Sequence, residues 1–407
     1  MPHFKTKTFI QPTFPLQDSC SGDSFIFVDR YYSSLYPKLS IILTKYQSTN
    51  QKQTQEFLIE VKEKENQTLI KCNKESKIAP IEIPKNALRI LSKNQQVISH
   101  NLNPQNITSD LKLPFIQTIN NFIDFDSFLK TNNLQNKQIW LEIGFGSGRN
   151  LLYNAQHNKD ILHIGIEIHT PSLEQVARQI GLLNLNNIYI LSYDARIFLE
   201  LLPSNNINRI LVHFPIPWDK SPHRRIFSNT FLKEANRVLK QNGTLELRTD
   251  SEEYFLYAKS IANKEEWLIH ESCNKDSNII SKYEARWKKM QKNIYDLILT
   301  AKINSDFKNS QYDFSFKDIN FISDTLNSHG FKRCKIIKDG YFVSIEDLFI
   351  SKFNDKILKV SFGDFNYPEN RYIIIDNEIR YLKSQPLPTN INQKCHNILC
   401  DLLFKER

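Results

Sequence analysis

A regular alternation of short apolar segments and longer amphipathic segments, between residues 139 and 301, constrains the fold more than any other feature of the sequence. Short apolar runs predict buried strands, and amphipathic segments between them predict helices that cross over a parallel sheet. The predicted strands are 139–143, 161–167, 188–191, 209–214 and 244–249, with 267–271 and 294–301 able to close the sheet. The predicted helices are 149–157, 171–181, 227–239 and 252–262. The sequence therefore predicts an α/β domain.

A glycine-rich turn follows the first predicted strand, in the sequence LEIGFGSG at 141–148. Gly144, Gly146 and Gly148 let a ligand approach the backbone where a side chain would clash. The G-x-G-x-G spacing differs from the G-x-G-x-x-G of dinucleotide enzymes, and Glu142 precedes the first glycine by two positions. A carboxylate there repels a pyrophosphate and suits a ligand with an ammonium and a sulfonium, which favours S-adenosylmethionine. A plain glycine turn is the structural alternative.

Two further acidic residues follow the second and third predicted strands. Glu167 ends the second strand, where a carboxylate can accept hydrogen bonds from both ribose hydroxyls. Asp194 follows the third strand, where it can accept from an adenine amino group. One carboxylate at a strand end is more often a solvated loop residue. Three at successive strand ends, on the edge where open α/β sheets bind ligands, predict a site for S-adenosylmethionine.

The rest of the chain is predicted to form two extensions. Residues 1–110 contain short alternating segments and are predicted to be β-rich. Residues 111–301 hold the α/β domain. Residues 302–407 combine a predicted helix at 319–330 with predicted strands at 356–362 and 371–375, which indicates a separate α+β module. We expect no internal repeat, because none is visible in the sequence.

The chain is basic, with 53 Lys and Arg against 44 Asp and Glu. This balance favours a polyanionic partner such as nucleic acid, although a lysine-rich proteome would produce it too. The six cysteines form no CxxC pair and no zinc spacing, so we expect reduced thiols, no metal and a cytoplasmic location. We expect no signal peptide, because the N-terminus, MPHFK, begins no long apolar core, and no membrane helix, because no run reaches ~18 apolar residues.

A proline-rich loop, HFPIPWDKSPHRR at 213–225, follows the fourth predicted strand. The prolines stiffen the loop, and Trp218 offers a flat face for a base. Its cations can meet phosphates; they are Lys220, His223, Arg224 and Arg225. A buried tryptophan beside a solvated basic turn is the structural alternative.

Two later segments belong to the same predicted site. Asp250 follows the fifth strand and faces the same ligand edge. The segment 281–293 holds five cations, one acid and two aromatic residues, a mixture that favours RNA over a merely solvated helix face.

Residues 139–299 resemble the bacterial tRNA (guanine-N7-)-methyltransferases. The shared elements, in matching order and spacing, are LEIGFGSG, GIEIH (165–169), DA (194–195), FPIPWDK (214–220), HRR (223–225), TD (249–250), SKYE (281–284) and YDL (295–297). The glycine turn alone is generic, whereas the FPxPWxK loop followed by TD and SKYE is specific.

The resemblance implies a Rossmann-like class I S-adenosylmethionine methyltransferase domain that methylates N7 of guanine 46, in the variable loop of tRNA. It implies that Glu142, Glu167 and Asp194 bind the methyl donor. The residues that it assigns to substrate binding are Lys220, Asp250, Ser281, Lys282, Tyr283 and Glu284.

The chain departs from this family between the two prolines of the loop. Members carry a catalytic Asp there, whereas this chain has Ile216. Guanine N7 has an in-plane lone pair and no proton to remove, so methyl transfer depends mainly on alignment. A carboxylate helps by accepting the N1 and N2 protons of the base, which makes Asp250 the candidate catalytic residue. In the alternative, Asp250 only caps the following helix.

Two other functions stay open. A NAD-dependent dehydrogenase is a second enzyme class, and Glu142 together with the glycine spacing argues against it. A catalytically impaired tRNA-binding relative would explain Ile216, although such a protein would not need three donor-binding acids.

Overall fold

The structure, a computed structural model, describes residues 1–48, 54–76, 78–103, 115–263, 267–275, 292–307, 311–316, 331–365 and 367–404. The chain forms two compact units. Thr108–Gln311 is the central unit, and Met1–Ile107 together with Tyr312–Arg407 is the terminal unit.

The N-terminal part of the terminal unit is mostly β-structure, as the sequence predicts. Its described elements are β1 (His3–Thr6), β2 (Leu16–Cys20), β3 (Asp23–Ser33), β4 (Leu39–Gln47), β5 (Thr54–Glu63), β6 (Thr68–Cys72), α1 (Glu82–Ser92) and β7 (Val97–His100). The helix α1, which the sequence analysis does not predict, buries Ala87, Leu88 and Leu91 against the sheet.

The central unit has alternating strands and helices. Its described strands are β8 (Ile116–Gln117), β9 (Gln138–Ile143), β10 (Ile161–Ile166), β11 (Ile188–Leu191), β12 (Ile207–His213), β13 (Leu239–Thr249), β14 (Trp267–Cys273) and β15 (Tyr295–Ala301). Its described helices are α2 (Phe125–Thr131), α3 (Arg149–His157), α4 (Thr170–Leu182), α5 (Ala195–Leu201), α6 (Asn229–Val238) and α7 (Glu252–Ala262). The predicted α/β domain is confirmed, and the bounds of α3, β11 and α7 match the predicted ones.

The order of the central sheet is β14-β15-β13-β12-β9-β10-β11-β8. Strands β8 to β13 pair in parallel, whereas β15 runs antiparallel to both of its neighbours. The chain builds outward from β9 through β10 to β11 and then returns to β12 on the other side of β9. This reversal is the topological switch point where open α/β sheets bind ligands at the carboxyl ends of their strands.

Helices cover both faces of the central sheet. Helices α3 and α4 pack on one face through a cluster that includes Leu151 and Val176. Helices α2, α5, α6 and α7 contribute to a second cluster, in which Phe198, Phe231 and Tyr254 are fully buried. Because apolar side chains hold the sheet from both faces, the strand ends stay in fixed relative positions.

The C-terminal part of the terminal unit contains β16 (Cys334–Lys338), β17 (Tyr341–Ile350), β18 (Lys356–Asp364), β19 (Glu369–Ile375), β20 (Ile379–Tyr381) and α8 (Asn390–Leu403). The predicted strands 356–362 and 371–375 lie within β18 and β19. The predicted helix 319–330 falls outside the described residues, and α8 was not predicted.

One sheet joins the two ends of the chain, in the order β20-β19-β18-β17-β3-β4-β5-β6-β1-β7, with β16 beside β17 and β2 beside β3. The junction is the antiparallel pair β3–β17. The Ser33 hydroxyl, in the N-terminal part, donates to the buried Asp347 carboxylate at 2.7 Å. The two extensions, which the sequence analysis treats as separate modules, therefore share one sheet.

The terminal unit contains an internal duplication, which corrects the expectation that the chain has no repeat. The hairpins β2–β3 and β16–β17 have equivalent registers, because Leu16 opposite Phe27 corresponds to Cys334 opposite Ile345. Each hairpin continues into three strands, β4-β5-β6 or β18-β19-β20, and each copy ends in a helix.

The two copies also share an irregularity. The register with the next strand shifts after Phe27 in the first copy and after Ile345 in the second. An aspartate follows at each shift: Asp29 accepts from the next backbone N–H at 2.8 Å, and Asp347 does so at 2.9 Å. A bulge at the same place in both hairpins indicates two copies of one fold.

The duplication creates three apolar clusters. One lies beneath α1, a second lies beneath α8, and a third is shared by the two copies. Tyr31 and Leu58 of the first copy meet Phe349 and Tyr372 of the second in the shared cluster. Each copy therefore buries one face of its sheet against its own helix and the other face against its counterpart.

Candidate active site

The turn between β9 and α3 requires glycine for two different reasons. Gly144, Gly146 and Gly148 have φ values of 69°, 51° and 71°, which other residues rarely adopt. At Gly148 an added Cβ would lie 2.4 Å from a methyl of Val176, so glycine allows α4 to pack closely. At Gly144 an added Cβ would meet no atom within 4 Å, so the turn is open to a ligand on that side.

Glu142 is a buried carboxylate beside this turn. It is 4% exposed at the end of β9, and the Asn150 amide donates to its Oε2 at 2.7 Å. Burial raises the pKa of Glu142 to about 8, because an uncharged amide compensates only part of the lost hydration. A cationic ligand would stabilise the ionised form of this carboxylate.

Glu167 lies at the carboxyl end of β10, next to β9 in the sheet. Its Oε2 accepts from the Gly146 backbone N–H at 2.9 Å, and its Oε1 accepts from the His169 N–H at 2.9 Å. These bonds fix the carboxylate against the glycine turn. Each oxygen has a second lone pair, so the group can still accept from a pair of hydroxyls.

Asp194 has a local partner that the sequence analysis did not anticipate. It is the N-cap of α5, where its Oδ1 accepts from the Arg196 N–H at 2.7 Å. The Arg196 guanidinium also contacts it, with 2.9 Å between Nη2 and Oδ2. Asp194 thus follows β11 on the same edge as Glu142 and Glu167, while its charge is already compensated.

These residues fit S-adenosylmethionine. The open turn at Gly144 leaves room for a ligand, and Glu142 supplies a buried carboxyl group without a cationic partner of its own among the described residues, whose ionised form a cationic ligand would stabilise. Glu167 supplies acceptors for hydroxyls on the neighbouring strand. A pyrophosphate would meet the Glu142 carboxylate instead of a cation, so the dinucleotide alternative is disfavoured.

The loop after β12 is strained and tightly held. Phe214 and Trp218 have φ values of 51° and 47°, which are unusual for aromatic residues. Arg225 is 3% exposed, and its Nε donates to the Pro217 carbonyl at 2.7 Å. Its Nη2 lies 2.7 Å from a Glu253 oxygen at the start of α7. Arg225 therefore clamps the loop and is not free to meet phosphates as predicted.

The outer residues of this loop are available to a substrate. Lys220 and Arg224 are exposed, and the Arg224 guanidinium lies 5.0 Å from the centre of the Trp218 ring. Ile216, at the position where the family carries Asp, is 64% exposed. The loop thus presents an apolar side chain at the position where the family resemblance implies a carboxylate.

Asp250 does not cap the next helix. Ser251 has that role, because its hydroxyl accepts from the Tyr254 N–H at 3.2 Å. The Asp250 carboxylate lies 3.2 Å from the Lys292 ammonium instead. This geometry removes the main structural alternative for Asp250.

A buried ion pair lies between β13 and β15. The Arg248 Nη1 contacts both carboxylate oxygens of Asp296, at 2.7 and 2.9 Å. Its Nη2 donates to the Lys275 carbonyl at 3.0 Å. The pair joins β13, which precedes Asp250, to β15, which follows Lys292. It therefore helps to fix the positions of Asp250 and Lys292 relative to each other.

Some predicted site residues lie outside the described part of the chain, namely Ser281, Lys282, Tyr283 and Glu284. The cations Lys288 and Lys289 do so as well, and the side chain of His223 is not described. Conversely, Asn150 lies outside the motifs that the sequence revealed, and the clamping role of Arg225, a residue of the HRR element, depends on its contacts with Pro217 and Glu253. Asn150 stands in the first turn of the helix after the glycine turn, which is the one sequence signal that could have singled it out.

Among the described residues, no helix is long and apolar enough to cross a membrane. That part of the chain also contains no cluster of three or more His, Cys, Asp or Glu residues able to hold a metal ion. The six cysteines are free thiols.

The sheet order, the glycine turn and the acids at successive strand ends define a class I methyltransferase, with S-adenosylmethionine as the methyl donor. A family model described as "Putative methyltransferase" matches residues 136–297. Among solved structures, the 16S rRNA methyltransferase KamB is 14% identical and has a TM-score of 0.36, over 44% of this chain and 94% of that one.

Full-length relatives define the family more narrowly. The tRNA (guanine-N(7)-)-methyltransferase of Wolinella succinogenes is 41% identical over 98% of this chain and 99% of its own. The protein of the same name from Helicobacter hepaticus is 40% identical over the whole of both chains. The chain belongs to the family of tRNA (guanine-N(7)-)-methyltransferases. The predicted resemblance is confirmed, and it extends through both extensions.

Proposed function

We propose that this chain transfers a methyl group from S-adenosylmethionine to N7 of guanine 46, in the variable loop of tRNA. The observation that carries the proposal is the open glycine turn beside Glu142, in a chain whose full-length relatives are named as tRNA guanine-N7 methyltransferases. A tRNA substrate also supports a cytoplasmic location.

The donor supplies a methyl group activated by a positive sulfonium. Glu142 faces the cationic part of the donor, and Glu167 accepts from its hydroxyls. Asp194 contributes at the third strand end, where its pairing with Arg196 leaves acceptor capacity on a carboxylate held in place. These contacts orient the donor before any base arrives, and alignment is the main requirement of this reaction.

On the substrate side, Asp250 accepts the N1 and N2 protons of the guanine and so fixes the edge that carries N7. Its present partner, Lys292, is 43% exposed and flexible enough to turn to a phosphate. Lys220 and Arg224 contact the backbone, and Trp218 offers a face to a base. The segment with Ser281, Lys282, Tyr283 and Glu284 completes the substrate site, as the family resemblance implies.

The replacement at Ile216 does not require an inactive protein. N7 is already nucleophilic, so no base is needed at that position. The relatives that match across the whole chain are named as enzymes, and no feature of the described site favours a protein that only binds tRNA.

The decisive experiment incubates the purified protein with labelled S-adenosylmethionine and unmodified tRNA, and then maps the label. The expected product is 7-methylguanine at position 46. Label at a different base would contradict the substrate assignment, and no transfer to any tRNA would contradict the enzymatic function.

A further inference from the structure

One surface of the terminal unit carries a series of cations and aromatic rings that the methyltransferase site does not use. Along an edge strand, alternate residues point to the same side, so Arg333, Lys335 and Ile337 of the β16 segment share one face. Phe342 pairs with Ile337 across the hairpin and lies on that face too. All three side chains of the β16 segment are exposed, and Ile337 is 62% exposed.

The cations lie over aromatic rings. The Lys335 ammonium is 5.3 Å from the centre of the Phe342 ring, and the Arg333 guanidinium is 5.5 Å from that of Tyr36. Phe342 also stacks with Phe365, with 5.7 Å between the ring centres and 22° between the planes. Phe365 and Tyr36 are 50% and 44% exposed, so both rings have free surface. We call this set the hairpin face: Tyr36, Arg333, Lys335, Ile337, Phe342 and Phe365.

The duplication provides an internal comparison. The first copy has the same hairpin with Gln17, Ser19 and Ser24 at the places of Lys335, Ile337 and Phe342. The backbone therefore forms without any cation or aromatic ring at these places. The fold therefore does not require Lys335, Ile337 or Phe342. Because exposed apolar side chains on an edge strand favour unwanted association, their presence here indicates a binding role.

The charge of this face is positive. Of the two acids of β17, Glu346 is paired with Lys359 at 2.8 Å, and the buried Asp347 accepts from the Ser33 hydroxyl at 2.7 Å and lies near enough to Arg333 to feel its charge. Lys338 points to the opposite side of β16, beside Tyr341. Exposed rings interleaved with cations are the combination that binds unpaired nucleotides, since bases stack on the rings and phosphates pair with the cations.

We propose that the hairpin face binds an unpaired stretch of the tRNA and so forms a second RNA contact outside the methyltransferase site. The identity of the RNA rests on the proposed function. An acidic protein segment could also pair with the cations, but its carboxylates would not stack on the exposed aromatic rings. Nucleotide bases stack on such rings, and so RNA is the occupant that the face fits best.

The test compares the double variant Lys335→Gln/Phe365→Ala with Lys338→Gln. The control removes the same charge from the other side of the same strand, and all three replaced side chains are exposed, so folding should be preserved. Binding of unmodified tRNA is measured at several salt concentrations, together with methyl transfer, donor affinity and thermal unfolding.

The double variant should bind tRNA about ten-fold more weakly, because it loses one stacking platform and one phosphate contact. The slope of log K against log salt should fall by about 0.7. The KM for tRNA should rise while kcat, donor affinity and Tm stay unchanged, and Lys338→Gln should resemble the wild type. An oligouridylate of about ten nucleotides should compete for tRNA on the wild type and less on the double variant.

Wild-type tRNA affinity and salt dependence in the double variant would overturn the proposal. An equal loss of affinity in Lys338→Gln would overturn it too, because a diffuse charge effect would then explain the result. Failure of the wild type to methylate tRNA would instead count against the proposed function, since methyl transfer is measured separately from binding.

Discussion

Glu142 is a buried carboxyl group whose described hydrogen-bond donor carries no charge, and because such a residue is costly to fold, its presence indicates a function. That donor is the neutral amide of Asn150. The Arg209 guanidinium, whose charge lowers the pKa of Glu142 only in part, is itself paired with Glu246. Burial therefore favours the protonated form of this carboxyl in the free protein, and a bound cation would favour the ionised form.

Donor binding should consequently release a proton. With a pKa of about 8 in the free protein, the affinity of the wild type for S-adenosylmethionine should rise by up to about ten-fold per pH unit between pH 6 and 8. Calorimetry in buffers of different ionisation enthalpy measures the released proton directly. Glu142→Gln should bind more weakly and release fewer protons, while titration of the donor itself is common to both proteins. Equal proton release by the two proteins would rule out this linkage.

The same carboxyl should make stability depend on pH. Its folded pKa, about 8, exceeds the ordinary value of 4.5, so between these values the folded state keeps a proton that the unfolded state has lost. Stability from this group is fully present below pH 4.5 and falls as the pH rises to about 8.

Glu142→Gln should therefore raise the Tm of the donor-free protein, and the gain over the wild type should grow between pH 5 and 8. Glu174→Gln, a replacement of an exposed carboxylate, is the matched control and should show no such growth. A Tm difference that stays constant with pH would show that Glu142 is ionised in the free protein.

Asp250 and Ser251 allow a sharp separation of catalysis from capping. Asp250→Ala should lower kcat/KM by one to two decades, because a charged hydrogen bond to the base contributes ~1.5–3 kcal/mol. Ser251→Ala should instead lower stability by ~1 kcal/mol and leave kcat near normal, since Ser251 is the cap. Ile216→Ala should change little. Methylation kinetics and thermal unfolding of the three variants check this, and near-normal kcat/KM in Asp250→Ala would remove its catalytic role.

At the scale of elements, the loop after β12 depends on a single buried side chain. Arg225 holds the Pro217 carbonyl and Glu253, and its guanidinium lies 5.2 and 5.0 Å from the ring centres of Tyr254 and Tyr257. The positive φ values of Phe214 and Trp218 are tolerated because this clamp fixes the loop against α7.

Arg225→Met should lower stability by ~2–3 kcal/mol and reduce kcat, because the loop loses its position over the site. Its neighbour provides the contrast. Arg224→Ala should keep the Tm and raise the KM for tRNA, since Arg224 is exposed. Urea unfolding and steady-state kinetics distinguish the two variants. An unchanged kcat in Arg225→Met would mean that the loop does not need the clamp.

Most elements of the central unit could be predicted because their signals are local, whereas the short elements β8, α2 and α5 were not predicted. The periodicity of 149–157 and 252–262 gives helices with those bounds, and the acids at strand ends follow from the order of the segments. Partners that come from distant parts of the chain could not be predicted in this way. Asp296 opposite Arg248 depends on how β15 returns beside β13, and the clamp by Arg225 depends on the packing of α7.

At the scale of the molecule, the two copies in the terminal unit have too few residues in common for the sequence to reveal the repeat. The two extensions were therefore predicted as separate modules. The equivalent hairpins share few identical residues, among them Gly22 and Gly340 in the turns and Asp29 and Asp347 at the bulges. Register in a sheet depends on which face is apolar, and many sequences satisfy the same alternation. The repeat is therefore visible in hydrogen-bond registers and not in residue identity.

The shared sheet leads to an expectation about truncation. Removing residues 312–407 would leave β3 without its partner β17 and would expose the apolar residues of the shared cluster, among them Tyr31, Ile41 and Leu58. The N-terminal copy should then unfold, because half of a two-copy core cannot bury both faces of its sheet.

Limited proteolysis with mass spectrometry can test this on three chains: the full chain, residues 1–311 and residues 108–311. The first 100 or so residues should be protected in the full chain and rapidly cut in 1–311. The central unit should resist cleavage in all three, since its sheet and both helical layers lie within Thr108–Gln311. Protection of the N-terminal copy in 1–311 would show that it folds without its counterpart, and the shared cluster would then contribute little to its stability.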